Sequence, residues 1–286
     1  LLAVCRRRGD GYRVMLVRGN GSRSIESLAW CSPEDLRSHL ENARCGRVLV
    51  ILPSAATLVR TIHTPPGNPG QVESAIRIEA EARMLGSTPA HRSGIATLGM
   101  ESEHPTGLVV AWPEGLEATL PALGEDVEIR WIPEIACLAQ LAGESPTLIH
   151  AIFDPDTAAI AAVIPTAAGP SFRVARGRGD GSKDVAARLG PLVVEMLISQ
   201  GVAPGLVEAE TTKMLADAPS RMIDGTLLAG GDADARIATA VTNAELALEG
   251  ESRIDDRIIL AALGALNGPL APLADMQAEE HFERPG

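Results

Sequence analysis

Aromatic residues make up only 2% of this 286-residue chain, with three Trp, one Tyr and three Phe. So few rings cannot form the stacking surface that proteins use to grip unpaired bases. Positive charge is also short, because 25 Lys and Arg stand against 37 Asp and Glu, a net charge of −12. An acidic surface repels phosphate backbones. The composition therefore predicts no nucleic-acid partner and a core built from small aliphatic side chains, which dominate the 45% hydrophobic share.

Cysteine is scarce as well, at Cys5, Cys31, Cys45 and Cys137. No pair has the C-x-x-C spacing, and no histidine stands at metal-ligand spacing from any of them, so no metal site is predicted. The set is typical of a reducing compartment rather than of a disulfide framework. Cys137 lies in an apolar, helix-like run and is predicted to be buried as a small hydrophobic side chain.

Two further absences concern membranes. The sequence shows no signal-peptide pattern and no apolar run near the roughly 18 residues of a spanning helix. The arginines cluster near the start, where Arg6, Arg7 and Arg8 precede Gly9-Asp10-Gly11. This run has two interpretations: a solvated turn, or a patch that faces a membrane or an acidic partner.

Strand and helix patterns alternate along the chain, which is typical of α/β architecture. Residues 1–145 form the first predicted lobe, with a subdomain inserted at about 65–112, and residues 146–270 form the second. The second lobe repeats the plan of the first, with hairpin-linked strands followed by helices and buried strands. It includes a predicted strand at 206–209 and a helix at 233–241. A polar stretch from Asn267 and the tail 271–286 are predicted to fray.

Two helices of the first lobe have clear sequence signals. The first, near the start of the chain, opens at Ser32-Pro33-Glu34-Asp35, where Ser is the cap and Pro the first helical residue. The second covers residues 71–85. Its apolar residues are predicted to lie largely on one buried face; they are Val72, Ala75, Ile76, Ile78 and Ala82.

Three glycine- or aspartate-rich segments are candidate ligand sites. Asp154-Pro155-Asp156-Thr157 ends a strand and could hold the metal or phosphates of a nucleotide, but it is also a common turn. Gly177-Arg178-Gly179-Asp180-Gly181 precedes a helix and is a phosphate loop or a plain connector. Gly230-Gly231-Asp232 either lets a flat ligand approach the backbone or forms a tight turn.

No catalytic constellation is apparent. The sequence offers no Ser/His/Asp or Cys/His arrangement, and no residue is predicted to be catalytic. His63 and His150 fall in or beside predicted strands, where packed or paired histidines are the common case.

Taken in order, the elements resemble the PilM family of type IV pili and the cytoplasmic domain of GspL from type II secretion, which are members of the actin-like ATPase superfamily. Short segments spread over most of the chain carry the resemblance. In the first lobe they are Val50-Ile51-Leu52-Pro53, Arg60-Thr61-Ile62-His63-Thr64-Pro65, Ile78-Glu79-Ala80-Glu81 within its helix, Leu108-Val109-Val110-Ala111 and Pro133-Glu134-Ile135-Ala136. In the second lobe they are Ser171-Phe172-Arg173, Leu227-Leu228-Ala229-Gly230-Gly231 and Ala261-Ala262-Leu263-Gly264-Ala265-Leu266.

The resemblance implies a two-lobed actin-like fold, a duplicated RNase H-like unit with mixed sheets. It also implies a nucleotide site, which this sequence matches poorly. The family's first phosphate turn carries an Asp, and Leu2-Ala3-Val4-Cys5-Arg6-Arg7-Arg8-Gly9 has none. The second turn usually reads Asp-Gly, and here it is Asp154-Pro155, where Pro removes a backbone N–H. If a nucleotide binds, the resemblance assigns it to Asp154, Thr157, Gly230 and Gly231.

The departures favour a non-catalytic scaffold with no required cofactor. It would act at the cytoplasmic face of the inner membrane, peripheral or tethered, in type II secretion or type IV pilus assembly. A motor ATPase and a PilN- or GspM-like membrane protein are the implied partners, with a homodimer possible. A GspL-like chain would continue past Gly286 into a membrane helix. The alternative is an enzyme that binds or hydrolyses ATP with Mg²⁺, either a PilM-like ATPase or a sugar-kinase-type phosphotransferase.

Overall fold

The structure is a computed structural model of the full 286-residue chain. It describes residues 1–18, 24–84, 91–100, 102–113, 123, 127–144, 149–154, 157, 159–166, 168–176, 185–199, 205–207, 209, 222–223, 226–228, 253–274 and 277–278.

The described residues form strands, α-helices and two short 3₁₀ turns. The strands are β1 (Leu2–Arg8), β2 (Gly11–Arg18), β3 (Ser24–Cys31), β4 (Arg47–Leu52), β5 (Leu58–His63), β6 (His91–Leu98), β7 (Thr106–Pro113), β8 (Glu128–Pro133), β9 (His150–Asp154), β10 (Ala159–Thr166), β11 (Gly169–Arg176), β12 (Met222–Ile223), β13 (Thr226–Leu228) and β14 (Gln277–Ala278). The helices are α1 (Pro33–Asn42), α2 (Pro69–Met84), α3 (Glu134–Glu144), α4 (Val185–Ser199) and α5 (Arg253–Ala265), and the 3₁₀ turns are Ser54–Ala56 and Ala271–Leu273.

The first five-stranded sheet is mixed and has the order β3-β2-β1-β4-β8. Strands β1, β2 and β3 form an antiparallel meander, and its first turn uses Gly9 at a φ of 56°, which glycine adopts without strain. Strand β4 then joins β1 in parallel, and β8 joins β4 in parallel. As a result the carboxyl ends of β1, β4 and β8 lie at one edge of the sheet.

The second five-stranded sheet repeats this plan, with the order β11-β10-β9-β13-β12. An antiparallel meander of β9, β10 and β11 again comes first, and the added strand β13 again pairs with the first strand of the meander. It differs in direction, because β13 runs antiparallel to β9. Two sheet-centred halves on one plan confirm the predicted two-lobed α/β class.

A third sheet has the order β14-β6-β7-β5, and three of its strands, β5, β6 and β7, come from the chain between β4 and β8. It includes β5, which begins at Leu58, before the predicted insertion. Helix α2 packs on this sheet, and Gly107 of β7 makes the close approach possible: a Cβ at Gly107 would lie 2.5 Å from Ile76 Cγ2. The last strand, β14, arrives from the far end of the chain.

The main core lies between the two five-stranded sheets. Helices α3 and α5 pack against each other there, α3 also contacts β8 and β10, and α5 contacts β1. The buried side chains are mostly small and aliphatic, as the composition predicts, with Trp112 the largest of those fully buried. The two lobes therefore share one hydrophobic core.

The predicted buried face of α2 is wrong in part. Val72, Ile76 and Ala80 are buried, a strip of residues four apart. Ala75 and Ala82 are exposed, and Ile78 is 67% exposed. The sheet contacts only one narrow side of the helix, so the second apolar strip, about 130° away around the helix at 100° per residue, faces outward.

The predicted frayed tail is also wrong for its first part. Leu270, Leu273 and Ala274 are buried in the main core, and β14 pairs antiparallel with β6. The predicted strand at 206–209 is wrong as well, because residues 205–207 and 209 are helical. Local composition misses these features because distant partners supply the burial. The predicted helix at 233–241 lies wholly outside the described residues.

Candidate functional site

The parallel strands of the first sheet direct three polar residues to one place. Arg6 lies near the end of β1, Ser54 follows β4 after Pro53, and Glu134 follows β8 as the first residue of α3. In open α/β sheets, ligands bind at the carboxyl ends of parallel strands. This edge is therefore where the fold would place a bound ligand, such as the nucleotide that the resemblance implies.

Glu134 binds both of the other residues. Its Oε1 accepts hydrogen bonds from Arg6 Nε at 3.1 Å and from Arg6 Nη2 at 2.6 Å. Its Oε2 accepts from the Ser54 backbone N–H at 3.2 Å and from Ser54 Oγ at 2.9 Å. The Arg6 and Glu134 side chains are each only 6% exposed. We call Arg6, Ser54 and Glu134 the strand-edge cluster.

The strand-edge cluster does not fit Mg²⁺ with ATP. Magnesium needs carboxylate or phosphate oxygens with free lone pairs, whereas both oxygens of Glu134 already accept hydrogen bonds from protein donors. The neighbouring guanidinium of Arg6 would repel the cation. Within the described part of the chain, no group of three or more His, Cys, Asp or Glu is placed to hold a metal.

The interpretation of Arg6-Arg7-Arg8 as a solvated turn is wrong. Strand β1 extends through Arg8, and Arg6 is buried in the strand-edge cluster. The alternation of a strand explains the outcome, because Arg6 points into the core face while Arg7 is exposed. The basic run is thus divided between an internal ion pair and the surface.

Of the nucleotide residues implied by the resemblance, the structure describes only Asp154 and Thr157. Asp154 is the last residue of β9 and pairs in register with Ala159. Thr157 is exposed in the turn after that strand. Gly230 and Gly231 lie outside the described residues, as do Pro155 and the glycine-rich segment 177–181. Their role in binding stays a prediction.

A polar joint links the third sheet to the second lobe. The Thr61 hydroxyl in β5 donates to the Phe172 carbonyl at 3.0 Å and accepts from the Phe172 N–H at 2.7 Å. Gly169, at a φ of 102°, opens β11 close to the Thr106 hydroxyl, where a Cβ would lie 2.6 Å from Oγ1. Since Thr61 holds both backbone groups of Phe172, it takes the place of a neighbouring strand.

His63 and His150 are paired or packed, as expected, and the cysteines are buried. His63 Nδ1 lies 3.2 Å from Thr106 Oγ1, and His150 is 2% exposed. All four cysteines are free and buried, Cys137 completely. Burial raises the pKa of the Cys5 and Cys137 thiols far above the ordinary value, so neither forms a reactive thiolate near neutral pH.

Sequence reasoning missed the strand-edge cluster. A usable signal was present: Ser54 and Glu134 each follow a Pro at or just after the end of a strand, and Arg6 interrupts the apolar start of another. Pairing them requires knowing that β1, β4 and β8 are parallel neighbours. That information lies in contacts between residues that are 80 and 128 positions apart in the sequence.

The fold and the cluster define a two-lobed α/β protein in which the chain's own side chains occupy the carboxyl-end edge of the first sheet. No family model and no curated protein matches the chain. Among solved structures, it is similar to a PilM-PilN type IV pilus biogenesis complex at 14% identity and a TM-score of 0.48, over 92% of this chain and 98% of that one.

Two other solved structures are similar over smaller shares. The cytoplasmic domain of EpsL, an inner-membrane component of the type II secretion system of Vibrio cholerae, matches at 15% identity and a TM-score of 0.42, over 67% of this chain and 74% of that one. A Bacteroides thetaiotaomicron protein with an actin-like ATPase fold matches at 10% identity and a TM-score of 0.42, over 75% of this chain and 88% of that one. Among the described residues, no helix has the length and apolar character that crossing a bilayer requires.

Proposed function

We propose that this chain is a non-catalytic, actin-like scaffold that docks other proteins in type II secretion or type IV pilus assembly. The part of the proposal that the chain is not a catalyst rests on the strand-edge cluster. A buried Arg6–Glu134 ion pair stands where the fold would otherwise receive a nucleotide. The part of the proposal that the chain docks other proteins rests on the sequence resemblance to the PilM and GspL families.

The chemistry of phosphoryl transfer argues for this proposal. Such enzymes work mainly by positioning phosphates with backbone N–H groups and by neutralising charge with Mg²⁺. Here the first strand offers an arginine already bound to Glu134. After β9, Pro155 has no N–H to give to a phosphate. Two of the phosphate-gripping elements are therefore altered in ways that weaken binding.

The partners proposed are a motor ATPase and a PilN- or GspM-like inner-membrane protein, with a homodimer as a further possible assembly. The place proposed is the cytoplasmic face of the inner membrane, where the chain is peripheral or tethered. In-cell cross-linking of the chain, followed by mass spectrometry, should identify a motor ATPase and an inner-membrane protein. If neither protein is cross-linked to the chain, the proposed docking role is wrong.

The alternative is an enzyme of the same superfamily that binds or hydrolyses ATP. Two features favour it: Asp154 closes a strand of the second lobe, and Gly230-Gly231 matches the adenosine side of the family's site. Under this alternative a metal would be held from the second lobe alone, without help from Arg6 or Glu134.

Phosphate release from Mg²⁺ and ATP separates the two. We expect the wild-type chain to release no phosphate above the buffer rate at millimolar ATP. The comparison uses Asp154→Ala and the matched control Asp10→Ala, which removes an exposed acid from the β1–β2 turn. Turnover that needs Mg²⁺, survives Asp10→Ala and is abolished by Asp154→Ala would establish the enzyme and reject the scaffold.

A further inference from the structure

We propose that Thr61 is a latch that fastens the second lobe to the third sheet and so holds the two lobes in one fixed arrangement. The inference goes beyond the docking role proposed above and does not depend on it. Three observations support it: two sheet edges meet at Thr61, this one side chain bonds the backbone on both sides of a residue across the joint, and further contacts hold the same hairpin.

Edge strands of two different sheets meet at the latch. Strand β5 is an edge strand of the third sheet, and β11 is an edge strand of the second five-stranded sheet. The two strands contact each other, but among the described strands β5 pairs only with β7, and β11 only with β10. Each sheet therefore keeps its own ladder of backbone hydrogen bonds if the two edges separate.

The Thr61 side chain joins these two edges. Its hydroxyl accepts a hydrogen bond from the Phe172 N–H at 2.7 Å and donates one to the Phe172 carbonyl at 3.0 Å. Phe172 is buried and belongs to the main core. Without the hydroxyl, both of these backbone groups lose their partner, and a buried unpaired group is unfavourable. Water must then enter between β5 and β11 to replace the hydroxyl, so its loss favours an open edge.

Further contacts from the first lobe hold the same β10–β11 hairpin. The 3₁₀ turn Ser54–Ala56, which carries one member of the strand-edge cluster, contacts both strands of the hairpin. At the start of β11, Gly169 lies so close to Thr106 of β7 that a Cβ would be 2.6 Å from Oγ1. The hairpin is thus the part of the second lobe to which the first lobe is fastened, and Thr61 bonds its backbone directly.

A fixed arrangement has a competing alternative, in which the lobes move relative to each other. Two-lobed proteins that close around a ligand do so by hinge or shear motion between their domains. In this chain such a motion must break the bonds between Thr61 and Phe172 each time the edges part. The two alternatives therefore differ in how well the Phe172 N–H is protected from solvent and in how constant the distance between the lobes is.

Amide hydrogen exchange measured by NMR tests the latch directly. We expect the wild-type Phe172 N–H to be protected as well as the amides of β10, an interior strand of the same sheet. Thr61→Val keeps the shape of the side chain without the hydroxyl. It should speed exchange at Phe172 about tenfold or more and change the amides of β9 and β10 less than about twofold. Thr61→Ser keeps the hydroxyl and should stay within about threefold of wild type.

Electron–electron double resonance between two spin labels measures the distance between the lobes. The labels are attached at Ser38→Cys in α1 and Ile198→Cys in α4, which are exposed positions, whereas all four native cysteines are buried. We expect one narrow distance in the otherwise wild-type chain. Thr61→Val should widen the distribution or add a longer distance, and so should Gly169→Ala, whose Cβ has no room at this joint. The matched control is Thr97→Val in β6, two strands away from β5, which should change nothing.

Each other outcome overturns the proposal. An unprotected Phe172 N–H in the wild type, or equal effects of Thr61→Val and Thr97→Val, rejects the latch. Equal acceleration of all amides in Thr61→Val makes Thr61 a general stabilising residue instead. A broad or double distance distribution in the wild type shows that the lobes move. If Thr61→Val does not fold, the two wild-type measurements still decide the question. Since none of these measurements involves ATP or a partner, failure here is distinguishable from failure of the proposed function.

Discussion

Removing Glu134 is the perturbation with the clearest expected consequence. Its carboxylate is nearly inaccessible and holds three groups at once: the Arg6 guanidinium, the Ser54 backbone N–H and the Ser54 hydroxyl. In Glu134→Ala all three lose this acceptor, and the buried guanidinium of Arg6 loses the carboxylate with which it forms an ion pair. Breaking a buried ion pair in this way costs about 3–5 kcal/mol of unfolding free energy.

The double variant Arg6→Met/Glu134→Leu is expected to behave differently. It removes both charges and replaces them with apolar side chains of similar length, which often leaves stability unchanged or raises it. The Ser54 N–H still loses its acceptor, at a cost of about 1–3 kcal/mol. The double variant should therefore be more stable than Glu134→Ala, although it lacks more of the native interactions.

Urea unfolding followed by circular dichroism measures both effects. The four proteins are wild type, Arg6→Met, Glu134→Ala and Arg6→Met/Glu134→Leu. If Glu134→Ala does not fold, Glu134→Gln keeps an acceptor for Ser54 and tests the charge alone. A Glu134→Ala that loses less than about 1 kcal/mol would be in the range of an exposed pair. That result would show that the strand-edge cluster is not a buried ion pair and would refute the reasoning.

Burial leads to three further predictions. Ile76→Ala should cost about 2–5 kcal/mol in urea unfolding and Ile78→Ala less than about 0.5, because only Ile76 is buried; equal costs would contradict the orientation of α2. Leu273→Ala should lower the unfolding free energy by about 2–5 kcal/mol, since Leu273 is fully buried. An unchanged urea midpoint would show that residues 267–274 form a frayed tail after all. Unfolding free energy should fall above about pH 9, and less steeply in Cys5→Ala.

The sign of that last prediction comes from proton binding. Burial raises the pKa of Cys5 above its ordinary value of 9.0 in the folded chain only. As the pH rises through 9 the unfolded thiol loses its proton while the folded one keeps it, so the cost of each such thiol rises toward about 1.4 kcal/mol per pH unit. Identical slopes for wild type and Cys5→Ala between pH 9 and 10 would show that Cys5 is not buried.

Local signals predicted the elements they directly encode. Ser32 caps α1 as expected, its hydroxyl accepting from the Asp35 N–H at 3.1 Å, and Pro33 is the first helical residue. Gly9 lies at positive φ in the turn between β1 and β2, a conformation that its residue type favours. These features depend on a few neighbouring residues. The α/β class follows in the same way from alternating strand and helix patterns.

Features that depend on distant contacts were missed. Periodicity treats Ile76 and Ile78 alike, and only the third sheet decides that one is buried and the other exposed. The polar stretch after Asn267 contains Leu270 and Leu273, whose partners lie in both lobes' shared core. The strand-edge cluster was missed for the same reason, because Arg6 and Glu134 are 128 residues apart.

The central claim is that the chain's own side chains fill the strand edge where a nucleotide would bind. Isothermal titration calorimetry with ATP in excess Mg²⁺, on the wild-type chain, tests it most directly. The account predicts no saturable heat up to several millimolar ATP, with or without Mg²⁺. Saturable, Mg²⁺-dependent binding with a Kd well below 1 mM would contradict it, whatever the rate of hydrolysis.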